Sequence, residues 1–184
     1  MPIITECRIS GYSNNNEPVL EPVEKCICPK CQKGILKIRG HVSRHSRQIQ
    51  RDGTSIKQWF RIPYGQCSNK SCRRMFRMLS PEMVPFKHYD KEAITDVLDG
   101  VITPESGVEN PSVLTMLRWI RWLSENASLI EGILRSVGYR ILGYSEELLF
   151  SCESLLEQLR QDTDEWLPVI LRAVYNSGHR LRAC

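Results

Sequence analysis

Long apolar runs are missing from this sequence of 184 residues. No stretch of about 18 apolar residues occurs, which excludes a transmembrane helix. A nucleotide-binding glycine loop, a His-Glu-x-x-His pair and a Ser/His/Asp set are also missing, so no enzyme class announces itself. The opening Met1-Pro-Ile-Ile-Thr-Glu-Cys-Arg lacks the basic and apolar regions of a secretory signal, and a cytoplasmic protein is expected. Acidic residues are scarce where they would matter most. Residues 25–91 hold three against 16 Lys and Arg, giving +13, whereas residues 1–24 sum to −3 and residues 92–184 to −6. A field that positive attracts polyanions, and nucleic acid is the partner it implies.

What is present inside the basic segment is a split cysteine quartet, Cys28-Pro-Lys-Cys31 and Cys67-Ser-Asn-Lys-Ser-Cys72. Two tight turns that each supply two thiolates can converge on one tetrahedral Zn²⁺ ion, closed to chemistry and therefore structural. Paired spacing and the absent signal favour metal in a reducing compartment over a disulfide scaffold, although the sequence holds eight cysteines. Cys26, His41 and His45 compete for a place in the ligand set. Cys7, Cys152 and Cys184 read as ordinary thiols, with Cys152 in an apolar helical stripe. A four-thiolate site also suits iron in a rubredoxin-like module, but that leaves the basic spacer unexplained.

The pattern around the quartet is β. Gly34 follows the first turn, where a residue tolerant of positive φ is expected. Ile35–Arg39, Gln48–Arg51, Ile56–Ile62 and Met75–Leu79 read as strands, with Asp52-Gly53 as a hairpin turn. His41–Arg47 reads as a mobile basic loop. From Pro81 the pattern turns helical: Asp90 caps a helix from Lys91 to about Gly100, and Asn110-Pro111 starts a long one to about Val137. On this helix Val113, Leu117, Ile120, Leu123, Ala127, Ile130 and Leu134 form the expected buried face, with Ser112, Thr115, Arg118, Arg121 and Trp122 opposite. Ser145 opens a helix to about Arg160, and Thr163 caps another that ends at Gly178. The acidic residues of these last helices read as a solvated face.

These signals describe an α+β chain, a small β zinc ribbon followed by a mainly α-helical, helix-turn-helix-like domain. The expected segments are 1–24, the ribbon 25–84, the helical domain 85–143 and a helical extension 144–184. Cys28-Pro-Lys-Cys31, Gly40-His41-x-x-Arg44, Arg61-Ile62-Pro63-Tyr64, Pro85-Phe86-Lys87-His88-Tyr89 and Pro111-Ser112-x-x-Thr115-x-x-Arg118-Trp119-x-x-Trp122 together resemble an uncharacterised bacterial family related to transposase N-terminal regions. The resemblance implies double-stranded DNA binding in the setting of a mobile element; the missing catalytic motifs, and acids spread over outer helix faces, lead to the expectation of a non-enzyme. The second cysteine pair departs from the resemblance with four intervening residues where two are common, and no catalytic domain follows.

Phosphate contacts are expected from Lys37, Arg39, Arg44, Arg47, Arg51, Lys57, Arg61, Arg73, Arg74 and Arg77. Base contacts are expected from Ser112, Thr115, Arg118 and Arg121. One reading helix binds weakly, so a homodimer or a larger protein partner is expected at the bacterial nucleoid, and no small-molecule substrate. A protein adaptor and an RNA-binding ribbon, with Trp59, Phe60, Tyr64 and Phe76 stacking on bases, are the alternatives.

Overall fold

The computed structural model describes the chain apart from residues 51, 52, 108, 110, 183 and 184, and apart from the side chains of 140 and 141. The expectations for Arg51, Asp52, Asn110 and Cys184 lie outside the described residues. The class is α+β. Six strands, β1 (Pro2–Ile4), β2 (Cys7–Tyr12), β3 (Pro18–Pro22), β4 (Leu36–Ile49), β5 (Ser55–Cys67) and β6 (Met75–Leu79), form one sheet. Five helices follow among the described residues: α1 (Lys91–Leu98), α2 (Val113–Leu142), α3 (Glu146–Phe150), α4 (Leu155–Asp162) and α5 (Trp166–Asn176).

The sheet is organised by β5. Antiparallel β4 covers one of its edges from Leu36↔Cys67 to Ile49↔Ser55, with one irregularity around Arg39. On the other edge β6 pairs antiparallel at Tyr64–Gln66 and β3 joins in parallel at Val19↔Arg61. Parallel β1 lies outside β6, and β2 closes a hairpin with β3. Residues 1–24 thus supply three strands. The expected basic loop at His41–Arg47 is strand instead, because every residue from Val42 to Ile49 has a partner on β5. A charged strand is tolerated where one sheet face meets solvent. The outer edge of β4 is covered at one point: Arg47 N–H donates to His88 O and Asp90 N–H to Arg47 O.

Strand period two divides the burial between two cores. On β6, Phe76 and Met78 enter a small core with Ile3, Leu36, Cys28 and Cys67, whereas Leu79 faces the main one. The main core joins Ile4, Leu20, Ile62 and Leu79 of the sheet to apolar faces of α1, α2, α4 and α5, including Ile94, Ile130, Leu159, Trp166 and Ile170.

Helix α1 starts as its sequence dictates: the Asp90 carboxylate accepts the Ala93 N–H at 3.0 Å, and Ala93, Ile94 and Val97 are buried. Between Leu98 and Val113 lie 14 residues, where a helix-turn-helix module uses three or four. Helix α2 buries its expected face from Leu123 onward and is rotated from it in its first turns. Met116, Trp119, Trp122, Leu123, Ile130, Ile133, Leu134 and Val137 are buried, while Val113, Leu117 and Ile120 are exposed. The two indoles carry more apolar area than the aliphatic side chains they displace, and they decide which arc turns inward.

The single helix expected from Ser145 to Arg160 is broken at Ser151–Ser154, and Cys152 is exposed there rather than buried. Arg135 collects the carbonyls released by the break, donating to Leu149 O, Ser151 O and Glu153 O. Glu131 caps the restart by accepting from Leu155 N–H and Leu156 N–H. Thr163 lies just outside α5 and its hydroxyl accepts the Glu165 N–H; the residue preceding the helix is Glu165.

The rotation of α2 is directly testable. Trp122→Ala should cost about 3–5 kcal/mol of unfolding free energy, whereas Leu117→Ala, at a position 50% exposed, should change it by no more than about 0.5 kcal/mol. Denaturant unfolding of both variants measures the difference, and equal losses would contradict the observed face.

Candidate metal centre and basic groove

The two cysteine turns are held against each other by backbone hydrogen bonds before any metal is considered. Cys28 N–H donates to Gly34 O and Gln32 N–H to Cys28 O; on the other side Cys67 N–H donates to Arg74 O and Cys72 N–H to Asn69 O. Ser68 N–H donates to Ile35 O, and the Ser68 hydroxyl accepts from Ile35 N–H, tying one turn to the other. The left-handed residues are Gln32 (φ 54°) and Arg73 (φ 47°), each directly after the last cysteine of its turn. Gly34, expected to fill that role, is needed for closeness instead. A Cβ there would lie 2.4 Å from Cys67 Sγ and 2.9 Å from Asn69 N.

The sulfurs of Cys28, Cys31, Cys67 and Cys72 all lie within 4.8 Å of one another. Cys28 Sγ is 3.8 Å from Cys72 Sγ and Cys31 Sγ is 3.6 Å from Cys67 Sγ. Four thiolates at about 2.3 Å from a tetrahedral ion have edges of about 3.8 Å, close to the separations of these two sulfur pairs, so this set could hold a metal ion. Its electrostatics ask for one. Backbone N–H groups of Lys33 and Gly34 hold the Cys31 thiol down at about 6, while burial pushes Cys67 up to about 12. A cation is the counter-charge that lets all four ionise together. The competing ligands stand apart: Cys26 Sγ contacts Thr5 Oγ1 and Glu24 O, and His45 stacks on His88. His41 is outside the sulfur cluster, and its Nε2 is buried without a hydrogen-bond partner.

The second feature is a groove between β4 and the segment that leads into the helices. One part, about 640 Å³, is lined by Val42, Arg44, His45, Trp59, Ile62, Arg77, Leu79 and Phe86 to His88, among others. The adjoining part, about 510 Å³, shares His45, Phe86, Lys87 and His88 and adds Arg47, Tyr89, Ser112, Thr115, Arg118 and Trp119. Chain segments far apart in sequence thus meet on one concave basic surface. Strand β6 contributes by alternation, turning Arg77 to the groove and Phe76 to the cysteine core.

Arg44 builds the wall. Its guanidinium donates to Val84 O at 2.6 Å and Lys87 O at 2.7 Å, pinning the turn on which Phe86 adopts φ 63°. Burial, with Arg77 nearby, lowers the Arg44 pKa to about 10. His45 and His88 stack at 4.4 Å with planes 6° apart. Both imidazoles titrate below their ordinary value, first because they are buried; for His45 the nearby His88, Lys57, Arg47 and Arg44 add to this, and for His88 the cations Arg44, Arg47 and Lys57 do. Tyr89 meets Trp119 edge to face at 5.1 Å, and the Lys87 ammonium sits 4.7 Å from the Trp122 ring centroid. Ser112 Oγ and Thr115 Oγ1 are 3.0 Å apart, and the Ser112 side chain makes no cap bond to the first turn of α2.

Of the residues expected to contact nucleic acid, the groove brings together Arg44, Arg47, Arg77, Ser112, Thr115 and Arg118. Lys37, Arg39, Lys57, Arg73 and Arg74 are exposed elsewhere on the basic surface. Arg39 donates to Gln66 Oε1, and Lys57 lies over Trp59. Arg61 donates to Ser43 Oγ and His41 O, and Arg121 pairs with Glu125. Phe86, Lys87 and His88 were not among the expected contacts. Their signal in the sequence is a cation between two aromatic rings directly after Pro85, in a segment that no periodicity marks.

The chain belongs to DUF6431, a family described as a domain of unknown function, whose model matches residues 28–119. That span runs from the first sulfur ligand to Trp119 and takes in the quartet and most of the groove. The family description shows no link to transposases or zinc ribbons. Comparison with curated proteins and with solved structures gave no match. No helix among the described residues is long and apolar enough to cross a membrane.

Cys67→Ser should abolish stoichiometric metal retention measured by elemental analysis, and Gly34→Ala should weaken it at least about tenfold, the scale of a disturbed ligand environment. A pH series separates two opposite contributions. The folded pKa values of His45 and His88 lie below the ordinary imidazole value of 6.5, so their stability contribution is present above that pH and is lost as pH falls through the folded values. Asp90 is raised from 3.8 to about 6 by burial, so its contribution is full below 3.8 and is lost as pH rises through about 6. Denaturation of His45→Gln/His88→Gln should show a smaller loss between about pH 7 and pH 5 than the parent. Asp90→Asn should gain stability at neutral pH relative to about pH 4.

Proposed function

We propose that this member of the DUF6431 family is a non-enzymatic DNA-binding protein that carries one structural Zn²⁺ on Cys28, Cys31, Cys67 and Cys72. In this reading the cysteine turns and the β4–β5 hairpin act as a zinc ribbon, and the first turns of α2 act in the manner of a recognition helix beside it. The observation that carries the proposal is the shared groove. Arg47 and Arg77 from the sheet, with Arg44 holding the wall, and Ser112, Thr115 and Arg118 at the start of α2 line one concave surface in the +13 segment and its helical neighbour. Zinc is the preferred ion because four soft thiolates in a tetrahedral arrangement suit it, and with no open position its role is to hold the turns.

Cationic groups along such a surface neutralise phosphates, and displaced counterions supply affinity that falls steeply with salt. The 14-residue α1–α2 connection and the buried Met116 and Trp119 leave Ser112, Thr115 and Arg118 as the base-reading candidates. The resemblance to transposase N-terminal regions supports an accessory or regulatory role in a mobile element. A second reading, a protein adaptor or homodimer, is favoured by one observation: Val113, Leu114, Leu117 and Ile120 form an exposed aliphatic strip on α2.

Fluorescence anisotropy of the zinc-loaded protein with labelled duplex DNA at about 50 and 200 mM salt tests the function. Affinity should fall at least about tenfold over that range, as for several phosphate contacts. Arg73→Ala should weaken binding to all sequences alike, and Arg118→Ala should act most strongly at a selected site. Salt-insensitive or absent binding would leave the adaptor in first place.

A further inference from the structure

The apolar and aromatic part of the groove has no use for a phosphate backbone. Ile62 and Leu79 form a buried floor, and Trp59 and Phe86 line the same cavity while remaining 41% and 52% exposed. Phe86 sits at φ 63°, a conformation costly for a bulky side chain and one that Arg44 enforces from beneath. The Arg180 guanidinium lies 4.8 Å from the Phe86 ring centroid and steadies it. A packing role would not need an aromatic ring held in a strained backbone and left half in water. The cavity of about 640 Å³ falls within the range that encloses small ligands, and Arg77 and Lys87 add positive charge to its lining.

The geometry points to capture of an unpaired DNA base in this cavity, stacked against Trp59 and Phe86, with the adjacent phosphate held by Arg77 and Lys87. The inference rests on the DNA-binding reading and deepens it: the preferred ligand is a duplex carrying an extrahelical or overhanging nucleotide, not an uninterrupted one. An uninterrupted duplex presents phosphates and groove edges, which the cationic rim can meet but the apolar floor cannot. A base already unpaired enters without the cost of breaking a pair. Stacking on aromatic side chains tolerates any base, so the preference concerns structure and not sequence.

The test compares three labelled ligands with the zinc-loaded full chain: an intact duplex, the same duplex with one extrahelical 2-aminopurine, and a single-stranded RNA. The bulged duplex should bind about tenfold tighter than the intact one, within the range a stacked base contributes, and its 2-aminopurine fluorescence should be quenched on binding. Trp59→Ala and Phe86→Gly should remove the quenching and bring the affinity for the bulged duplex down to that of the same variant for the intact one. Trp59→Phe should keep the quenching and the preference. Phe86→Gly relaxes the backbone, so it separates loss of the ring from loss of the fold. Equal binding of bulged and intact duplexes, or quenching that survives both ring removals, overturns base capture and leaves the DNA-binding reading standing. RNA binding tighter than the bulged duplex overturns the DNA assignment, and no binding to any ligand overturns both.

Discussion

Four sulfur atoms from two turns 36 residues apart must meet at one point, and the sheet is arranged around that meeting. Because Cys67 ends β5 and lies opposite Leu36 at the start of β4, closing the turns fixes the register of the long hairpin from its base. The small core of Ile3, Leu36, Phe76 and Met78 wraps the cysteines and carries the constraint into β1 and β6. It reaches the helices as well. Gly178, beyond the end of α5, adopts φ 87° and a Cβ there would lie 2.9 Å from Pro29 O, inside the first cysteine turn. A metal ion at this point would therefore hold the sheet, and indirectly the last helix, in place.

A second layer of constraint falls on cations that do not face solvent. Arg44 spends its hydrogen bonds on two carbonyls of the 84–87 turn, so a residue that looks like a phosphate contact acts as a positioning residue. Its charge is not wasted, because it lowers the proton affinity of both groove histidines. The segment it holds is stitched to β4 through Arg47 and runs directly into the Asp90 cap of α1. The groove is thus part of the joint between sheet and helices, and it is as rigid as that joint.

The acidic residues of the last helices, Glu146, Glu147, Glu153, Glu157, Asp162, Asp164 and Glu165, are exposed as expected of a solvated face, and ion pairs join this part of the chain to its neighbours. Lys91 pairs with Glu82 and Glu165, Arg160 with Asp99 and Glu157, and Arg172 with Glu6. Asp99 also accepts the Trp166 indole N–H at 3.0 Å. Such pairs contribute little individually at a wet surface. Their effect here is directional, since they bind the acidic third to the rest while the basic groove keeps its own sign of charge.

Much of this was legible in the chain itself. Cysteine spacing identified the sulfur quartet, because only a few residues of tight turn separate the members of each pair. Strand period two located β6, and Asp90 before an apolar 3–4 repeat located α1, because these are local effects of backbone geometry and capping. The chain alone could suggest that the tryptophans of α2 pack, but it could not show that residues 1–24 complete the sheet, that His41–Arg47 is strand, or that α2 exposes Val113, Leu117 and Ile120. Each depends on a partner distant in sequence: β6 and β5, the remainder of β5, and the combined faces of α1, α4 and α5. The groove is the clearest case. Its cations and aromatic rings come from β4, β5, β6, the 85–89 segment and α2, so composition supplied its charge while only tertiary packing gathered it onto one surface.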